Sequence, residues 1–360
     1  MRIIFGAGGT GGHIIPALAI AREMQKEGFI PHFIGNADSL EERLVTGSNL
    51  PFHPISVQKL YRQITLAHLR FPYLLIRSII KSRRIIRQID PQCILCTGSY
   101  ISGPVALAAL LSRKPLYLHE SNCYPGLAIR MLAPFARMCF LSWNRSQQYL
   151  NRARTILLGT PIFNDQFAPS HLDWTQFGLS PDRPKLLISG GSQGSLVINE
   201  MIDRCADRLI DEGYDLVWQT GRNSVQRYAG KHAENPFIHV FDFTSEMPAL
   251  LMNSCIAITR AGAMTIAELE CAMRPAVLIP LPTAAANHQY WNAAEQQQKG
   301  LAVLLEQKDL TAETLLNAIH RIRQTLPSMQ IAFASLPPNT AARDVARFIV
   351  SQTQTTEKTC

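Results

Sequence analysis

The stretch Gly6-Ala-Gly-Gly-Thr-Gly-Gly-His13 sets the architecture of this chain. It follows the short apolar run from Arg2 to Phe5 and precedes an apolar-periodic segment from Ile14 to Glu27. That order reads as strand, glycine turn and helix, with the turn at the carboxyl end of the first strand of an α/β unit. Its glycines let the backbone approach a ligand closely. The N–H groups of the helix start then favour an anion, above all a phosphate. His13 puts a titratable imidazole at the mouth of that turn, which points to chemistry as well as binding.

At 360 residues the chain suits two domains rather than one core. With 47% hydrophobic and 17% charged residues it has the composition of a folded protein, not a disordered one. The formal charge of +8 favours an anionic partner: a nucleotide, a nucleic acid or an acidic membrane surface. The basic residues are not interleaved with aromatics along a strand or groove, which speaks against nucleic acid. The most apolar run, Pro104 to Leu111, is too short to span a bilayer, and core-like sequence begins at Arg2. Together these predict a cytosolic protein. Cys93 and Cys96 are spaced like a metal or redox pair, but a strand from Gln92 to Thr97 would turn them to opposite faces. Buried apolar thiols are expected there instead.

Outward from the first turn, β runs alternate with helical segments at Phe29 to Gly35, Gln92 to Gly98, Pro115 to His119 and Arg137 to Ser142. This predicts a parallel, doubly wound sheet whose ligand crevice lies at the carboxyl ends of the strands. Gly35-Asn36, Thr97-Gly98-Ser99 and His119-Glu-Ser-Asn122 would open onto it. A helix from Tyr73 to Ile89 splits into a core arc and an outer arc. Leu74, Leu75, Ile79, Ile85, Ile86 and Ile89 form the first. Arg77, Lys81, Arg83, Arg84 and Arg87 form the second, with Ile76 and Ile80 interleaved, a pattern suited to an anionic lipid surface. After a linker near Leu157 to Ile162, the opening layout recurs: the strand Lys185 to Ser189, the turn Gly190-Gly-Ser-Gln-Gly194 and a helix from Leu196 to Asp211. Further strands are expected at Leu216 to Gln219, Ile238 to Phe241, Ile256 to Thr259, Ala276 to Pro280 and Ala302 to Leu305. Helices are expected from Met264 to Met273, Asn287 to Lys299 and Ala341 to Val350, ahead of a disordered polar tail.

Three chemistries compete for the glycine turns. Gly6 to Gly11 satisfies the dinucleotide fingerprint G-x-G-x-x-G, but Gly35-Asn36 replaces the ribose-binding acid at the end of the second strand. Gly190 to Gly194 matches the G-x-S-x-G nucleophile elbow around Ser192, yet no acid sits at a strand end before His288 or His320. A nucleotide-sugar transferase suits twin α/β halves with both turns across one cleft. The chain contains no Asp-x-Asp, so no metal is expected, and N–H groups and cations must neutralise a diphosphate. Arg260, at a strand end before Gly262, is placed for that, and Glu268 could accept both hydroxyls of a ribose.

Jointly, Gly8-Gly-Thr-Gly-Gly-His13, Ser99-Tyr-Ile-Ser-Gly-Pro104, His119-Glu-Ser-Asn122, Gly190-Gly-Ser-Gln-Gly194, Arg260-Ala-Gly262 with Thr265 and Glu268, and His288-Gln289 before Asn292-Ala293 resemble the MurG family. These are peptidoglycan N-acetylglucosaminyltransferases of GT-B fold. The resemblance implies two Rossmann-like domains facing a cleft: 1–160, with a C-terminal helix from 341–360 packing back, for acceptor and membrane, and 161–340 for the UDP-sugar. It implies transfer from UDP-N-acetylglucosamine to the C4 hydroxyl of lipid I, with inversion, at the cytoplasmic face of the inner membrane and with no cofactor. A UDP-sugar epimerase or a nucleotide-sugar-binding protein on the same fold is the alternative.

By motif, His13 is the expected general base, kept neutral by the helix N-terminus. Thr10, Gly11 and Gly12 are expected at the donor and acceptor phosphates, Asn122 and Ser192 at the donor, and Thr244 at uracil. Ala263, Met264, Thr265 and Glu268 would hold diphosphate and ribose, and Gln289 the sugar. Ile76, Arg77, Ile80, Lys81 and Arg84 would meet the membrane, and cell-wall synthesis proteins are candidate partners. Three positions depart from the family pattern. Phe163 stands where the family has an arginine after Gly-Asn-Pro-Val, which leaves Arg260, another basic residue or the backbone alone to serve the donor phosphates. Ala285-Ala-Asn287 lacks the usual acid, and Ser99 replaces a customary glycine.

Overall fold

The computed structural model describes residues 1–58, 71–169, 171–191 and 193–357. They form two compact units, Met1–Ile162 with the chain from Asn339 onward, and Phe163–Pro338. In the first, β1 (Arg2–Gly6), α1 (Gly11–Lys26), β2 (Ile30–Asn36), α2 (Leu40–Gly47), β3 (Phe52–Ile55), α3 (Phe71–Ile89), β4 (Cys93–Cys96), α4 (Ser99–Leu111), β5 (Leu116–Glu120), α5 (Leu127–Leu132), β6 (Met138–Leu141) and β7 (Thr155–Leu157) follow in order. The strands pair in parallel as β3-β2-β1-β4-β5-β6-β7. β4 and β5 are buried along their whole length, as parallel strands covered on both faces must be. Cys93 and Cys96 are buried thiols of β4, both pushed up to about 12 by burial.

The second unit repeats the plan with β8 (Lys185–Ser189), α6 (Leu196–Asp211), β9 (Asp215–Gln219), α7 (Val225–Lys231), β10 (Ile238–Phe241), α8 (Met247–Asn253), β11 (Ile256–Thr259), α9 (Ala263–Cys271), β12 (Ala276–Leu278), α10 (His288–Gln298), β13 (Ala302–Leu304) and α11 (Ala312–Ala334). Its parallel sheet runs β10-β9-β8-β11-β12-β13. In both sheets the strand order reverses beside the first strand, between β1 and β4 and between β8 and β11. Ligands of open α/β sheets bind at such reversal points.

The chain then returns to the first unit as α12 (Ala341–Glu357), as expected for the C-terminal helix. α12 packs on α1, and Phe348 sets its ring edge-on to Tyr117 and Phe140. The helix continues past Val350 to Glu357, which corrects the expected disorder of that part of the tail. Neither Gly nor Pro interrupts Ser351 to Glu357, so nothing in the sequence stops it.

Candidate active site

His13 lies inside the first turn of α1, which starts at Gly11, three residues before the Ile14 start that periodicity alone gives. The glycines at its start hide the helical pattern. Ser121 and Thr97 then fix the turn. Pro16 has no N–H to give the carbonyl of Gly12, four residues back, and the hydroxyl of Ser121 donates to that carbonyl at 3.2 Å. Thr97, just beyond β4, donates its hydroxyl to the carbonyl of His13 at 2.7 Å. In return His13 Nδ1 lies 2.9 Å from the carbonyl of Thr97. A carbonyl only accepts, so Nδ1 carries the proton and Nε2 is the basic position of the neutral ring. The strand reversal between β1 and β4 thus brings Gly6–His13 and Thr97–Ser99 together. N-cap Thr10 makes no side-chain cap bond, and no acid lies in the first turn, so the start of α1 keeps its positive end.

A carboxylate that the sequence reading passed over sits on the other side of this turn. Glu41 of α2 is buried; it accepts from Gly9 N at 3.2 Å and from Asn36 N at 3.3 Å. Its charge opposes a phosphate on that side of Gly9, a second reason against a dinucleotide here. The Ser39-x-x-Glu42 pattern was the available signal: Ser39 Oγ accepts from Glu42 N, and the Glu42 carboxylate accepts from Asp38 N. It starts a helix directly after β2 and brings Glu41 to the turn. Ser99 explains itself by its backbone. Its φ of +69° lies in the left-handed region that favours glycine, and its hydroxyl accepts from Ile101 N.

The loop after β5 carries Asn122, half-buried, with His119, Glu120 and Ser121 buried beneath it rather than open to a crevice. Burial holds the His119 imidazole down to about 4, so it stays neutral while its ring nitrogens lie 3.4 Å from Ser121 Oγ and 3.3 Å from Ser142 Oγ.

In the second unit the turn from Gly190 to Gly194 follows β8; Ser192 lies outside the described residues. Gly191 N donates to Ser189 Oγ, which donates to Gln219 Oε1. Across the strand reversal, Arg260 is buried and donates from Nη1 to the carbonyls of Ile279 and Pro280. Its Nη2 donates to Ser195 Oγ and Gln307 Oε1. Desolvation lowers it only to about 10, so it stays charged, but its terminal nitrogens are spent on the unit's own acceptors. It ties the turn to the sheet and lends it charge from below. Gly262 caps α9 without a side chain, leaving first-turn N–H groups near Ala263, Met264 and Thr265 with no side-chain cap. Asn292 Nδ2 donates to the carbonyl of Ala261 and steadies this segment.

Glu268, one turn further on, is desolvated and its carboxyl is pushed up to about 7. Gln289 accepts from Leu281 N at 3.0 Å, which orients its amide. Ala286 and Asn287 before it both adopt left-handed backbone. Thr244, after β10, accepts from Glu246 N. Thr10, Gly11, Gly12, His13 and Asn122 therefore gather in the first unit. Arg260, Ala263, Met264, Thr265, Glu268, Thr244 and Gln289 gather at the strand ends of the second.

Comparison with known proteins agrees with this layout. Residues 3–141 match the model of the glycosyltransferase family 28 N-terminal domain, and residues 185–343 match its C-terminal domain. A UDP-N-acetylglucosamine--N-acetylmuramyl-(pentapeptide) pyrophosphoryl-undecaprenol N-acetylglucosamine transferase of Syntrophotalea carbinolica is 35% identical over 96% of this chain and 98% of its own. The chain belongs to this transferase family. A second member, from Rippkaea orientalis, is 34% identical over 88% of each chain. The crystal structure of Acinetobacter baumannii MurG superposes with a TM-score of 0.76 at 25% identity, covering 97% of this chain and 99% of that one. The family's GT-B architecture is the one described above, and its members are glycosyltransferases.

Proposed function

We propose that the enzyme moves N-acetylglucosamine from UDP-N-acetylglucosamine to the C4 hydroxyl of the N-acetylmuramoyl unit of lipid I, giving lipid II and UDP. The carrying observation is the His13–Thr97 pair in a chain of this family, since it keeps the proton on Nδ1 and leaves Nε2 as the base whenever the ring is neutral. In the reaction, Nε2 takes the hydroxyl proton as O4 bonds to the anomeric carbon. The bond from that carbon to the UDP oxygen breaks on the opposite face, so the configuration inverts. The second unit holds the donor. The α9 N-terminus and the charge of Arg260 offset the diphosphate, and ionised Glu268 accepts the ribose hydroxyls. Asn122 and Gln289 are assigned to the donor sugar, Thr244 to uracil, and Thr10, Gly11 and Gly12 to the acceptor's diphosphate.

A lipid-linked acceptor requires a membrane contact, and α3 supports one. Tyr73, Ile76 and Ile80 are 66%, 57% and 64% exposed beside exposed Arg77, Lys81 and Arg84, while Ile86 and Ile89 are buried. Apolar side chains enter the headgroup layer and cations meet phosphates. No helix among the described residues is long and apolar enough to cross a membrane; the exposed face of α3 and a lipid-linked acceptor are what support peripheral attachment at the cytoplasmic face. Incubating radiolabelled UDP-N-acetylglucosamine with lipid I tests the function. Label transferred to lipid is the expected result. A new UDP-sugar, or retention without turnover, would replace the reading by an epimerase or a binding protein.

A further inference from the structure

Glu120 ends β5, and its carboxyl is buried at 2% exposure. N–H groups of one short loop converge on it. Oε1 accepts from Asn122 N at 2.8 Å and Asn122 Nδ2 at 3.1 Å, and Oε2 accepts from Gly126 N at 2.8 Å. A carboxylate has two oxygens and no donor, so it matches inward N–H groups at both ends where an amide would turn its own N–H toward one of them. Those partners are neutral, and burying a charge without a cation is costly. An apolar side chain would avoid that cost but leave the Asn122 and Gly126 N–H groups without an acceptor, so what the carboxylate secures is the shape of the loop. The loop is tied again from outside: Trp143 Nε1 donates to the carbonyl of Ser121, and Ser146 Oγ to that of Asn122. From the same loop, Ser121 Oγ reaches the Gly12 carbonyl that Pro16 leaves without a helix donor.

We propose that Glu120 is a positioning residue of the transfer reaction. It closes residues 121–126 into a braced ring, fixes Asn122, and through Ser121 holds Gly12 beside His13. The inference rests on the transferase reading above. Burial pushes the carboxyl up to about 7 against the pull of its N–H partners. Protonation turns one acceptor oxygen into a donor facing an N–H group and loosens the ring. Two buried neighbours stay silent near neutrality, whereas His13, reached through Ser121 and Gly12, is the base of the reaction itself. Cys139 on β6 is raised by burial and by the Glu120 charge, and His119 is held down to about 4. Arg130 of α5 is engaged with Tyr124 of the loop at its exposed side.

The test combines amide hydrogen exchange at Asn122 and Gly126 with kinetics of Glu120→Gln, Glu120→Asp, Asn122→Ala and the double variant Glu120→Gln/Asn122→Ala. Glu120→Gln should lose at least tenfold in protection of both amides and at least tenfold in kcat/KM. The loss of protection at both amides on the acid side of neutrality should vanish with it. The double variant should cost no more than the worse single one, as residues acting in series do. Glu120→Asp, which keeps the charge with shorter reach, should fall between, and it carries the test if Glu120→Gln does not fold. Wild-type protection and rate in whichever variant folds, or multiplying effects in the double variant, would overturn the proposal. Absence of transfer by the wild-type enzyme breaks the transferase reading instead, and the exchange result stands apart from it.

Discussion

In each unit a glycine turn follows the first strand of a parallel sheet at the point where strand order reverses, yet the residues behind the two turns differ in charge and in kind. Behind Gly9 lies the buried carboxylate of Glu41, and beyond it His13 bonded to Thr97. Behind Gly190–Gly194 lies the buried guanidinium of Arg260, reaching Ser195 at the start of α6. A carboxylate disfavours added anionic charge and suits a turn where a proton is taken; a guanidinium suits a diphosphate. Topology therefore supplies two equivalent positions, and a few buried charges divide the work between them.

Two glycines should break this comparison most sharply, each on its own side. Gly194 has φ +76°, and a Cβ there would lie 2.0 Å from the backbone oxygen of Thr220. Gly194→Ala should cost about 3 kcal/mol of stability and weaken UDP binding, read by calorimetry. Gly98 has φ +96°, and a Cβ there would lie 2.9 Å from His13 Nδ1. Gly98→Ala should leave UDP affinity unchanged while kcat falls by about a hundredfold, because the imidazole is displaced. Loss of UDP affinity in Gly98→Ala would dissolve the division of labour.

Next in size is the donor acid. Ribose hydroxyls donate to an ionised carboxylate, and Glu268 is held up to about 7, so donor KM should fall as pH rises through that value. Donor binding should release a proton below it. Glu268→Gln should raise donor KM by about tenfold above pH 7 and flatten its pH dependence; a slope that survives the substitution assigns the titration elsewhere. The smallest effect is at Ser99. Relief of its left-handed backbone is worth about 1 kcal/mol, and glycine returns much of that as unfolded-chain entropy. Ser99→Gly should therefore shift Tm by no more than about 2 °C, in contrast to its neighbour Gly98.

The twin strand–turn–helix layout was legible because apolar runs and glycines mark it, and β10, β11 and α6 fall on their expected residues. Other elements were not. α11 spans Ala312–Ala334 with Pro327 inside it, and a proline argues locally against a helix that tertiary packing nevertheless keeps. β3 contains Pro54 and sits at the sheet edge, where a missing N–H is tolerated, while β7 has only three residues. At the candidate site, residue types pointed to His13, Glu268 and Arg260 as candidates. They did not give what each one faces. Arg260 reads as a free phosphate ligand until Ile279, Pro280, Ser195 and Gln307 are seen to occupy it. Glu41 and Glu120 act through backbone N–H groups distant in sequence or hidden in a loop, which no spacing rule records.

The most direct test of His13 as the base separates chemistry from binding: single-turnover transfer to lipid I by His13→Ala, beside UDP affinity of the same variant. The account predicts a loss of at least about a hundredfold in rate with UDP affinity within about twofold of wild type. Transfer near the wild-type rate would contradict it.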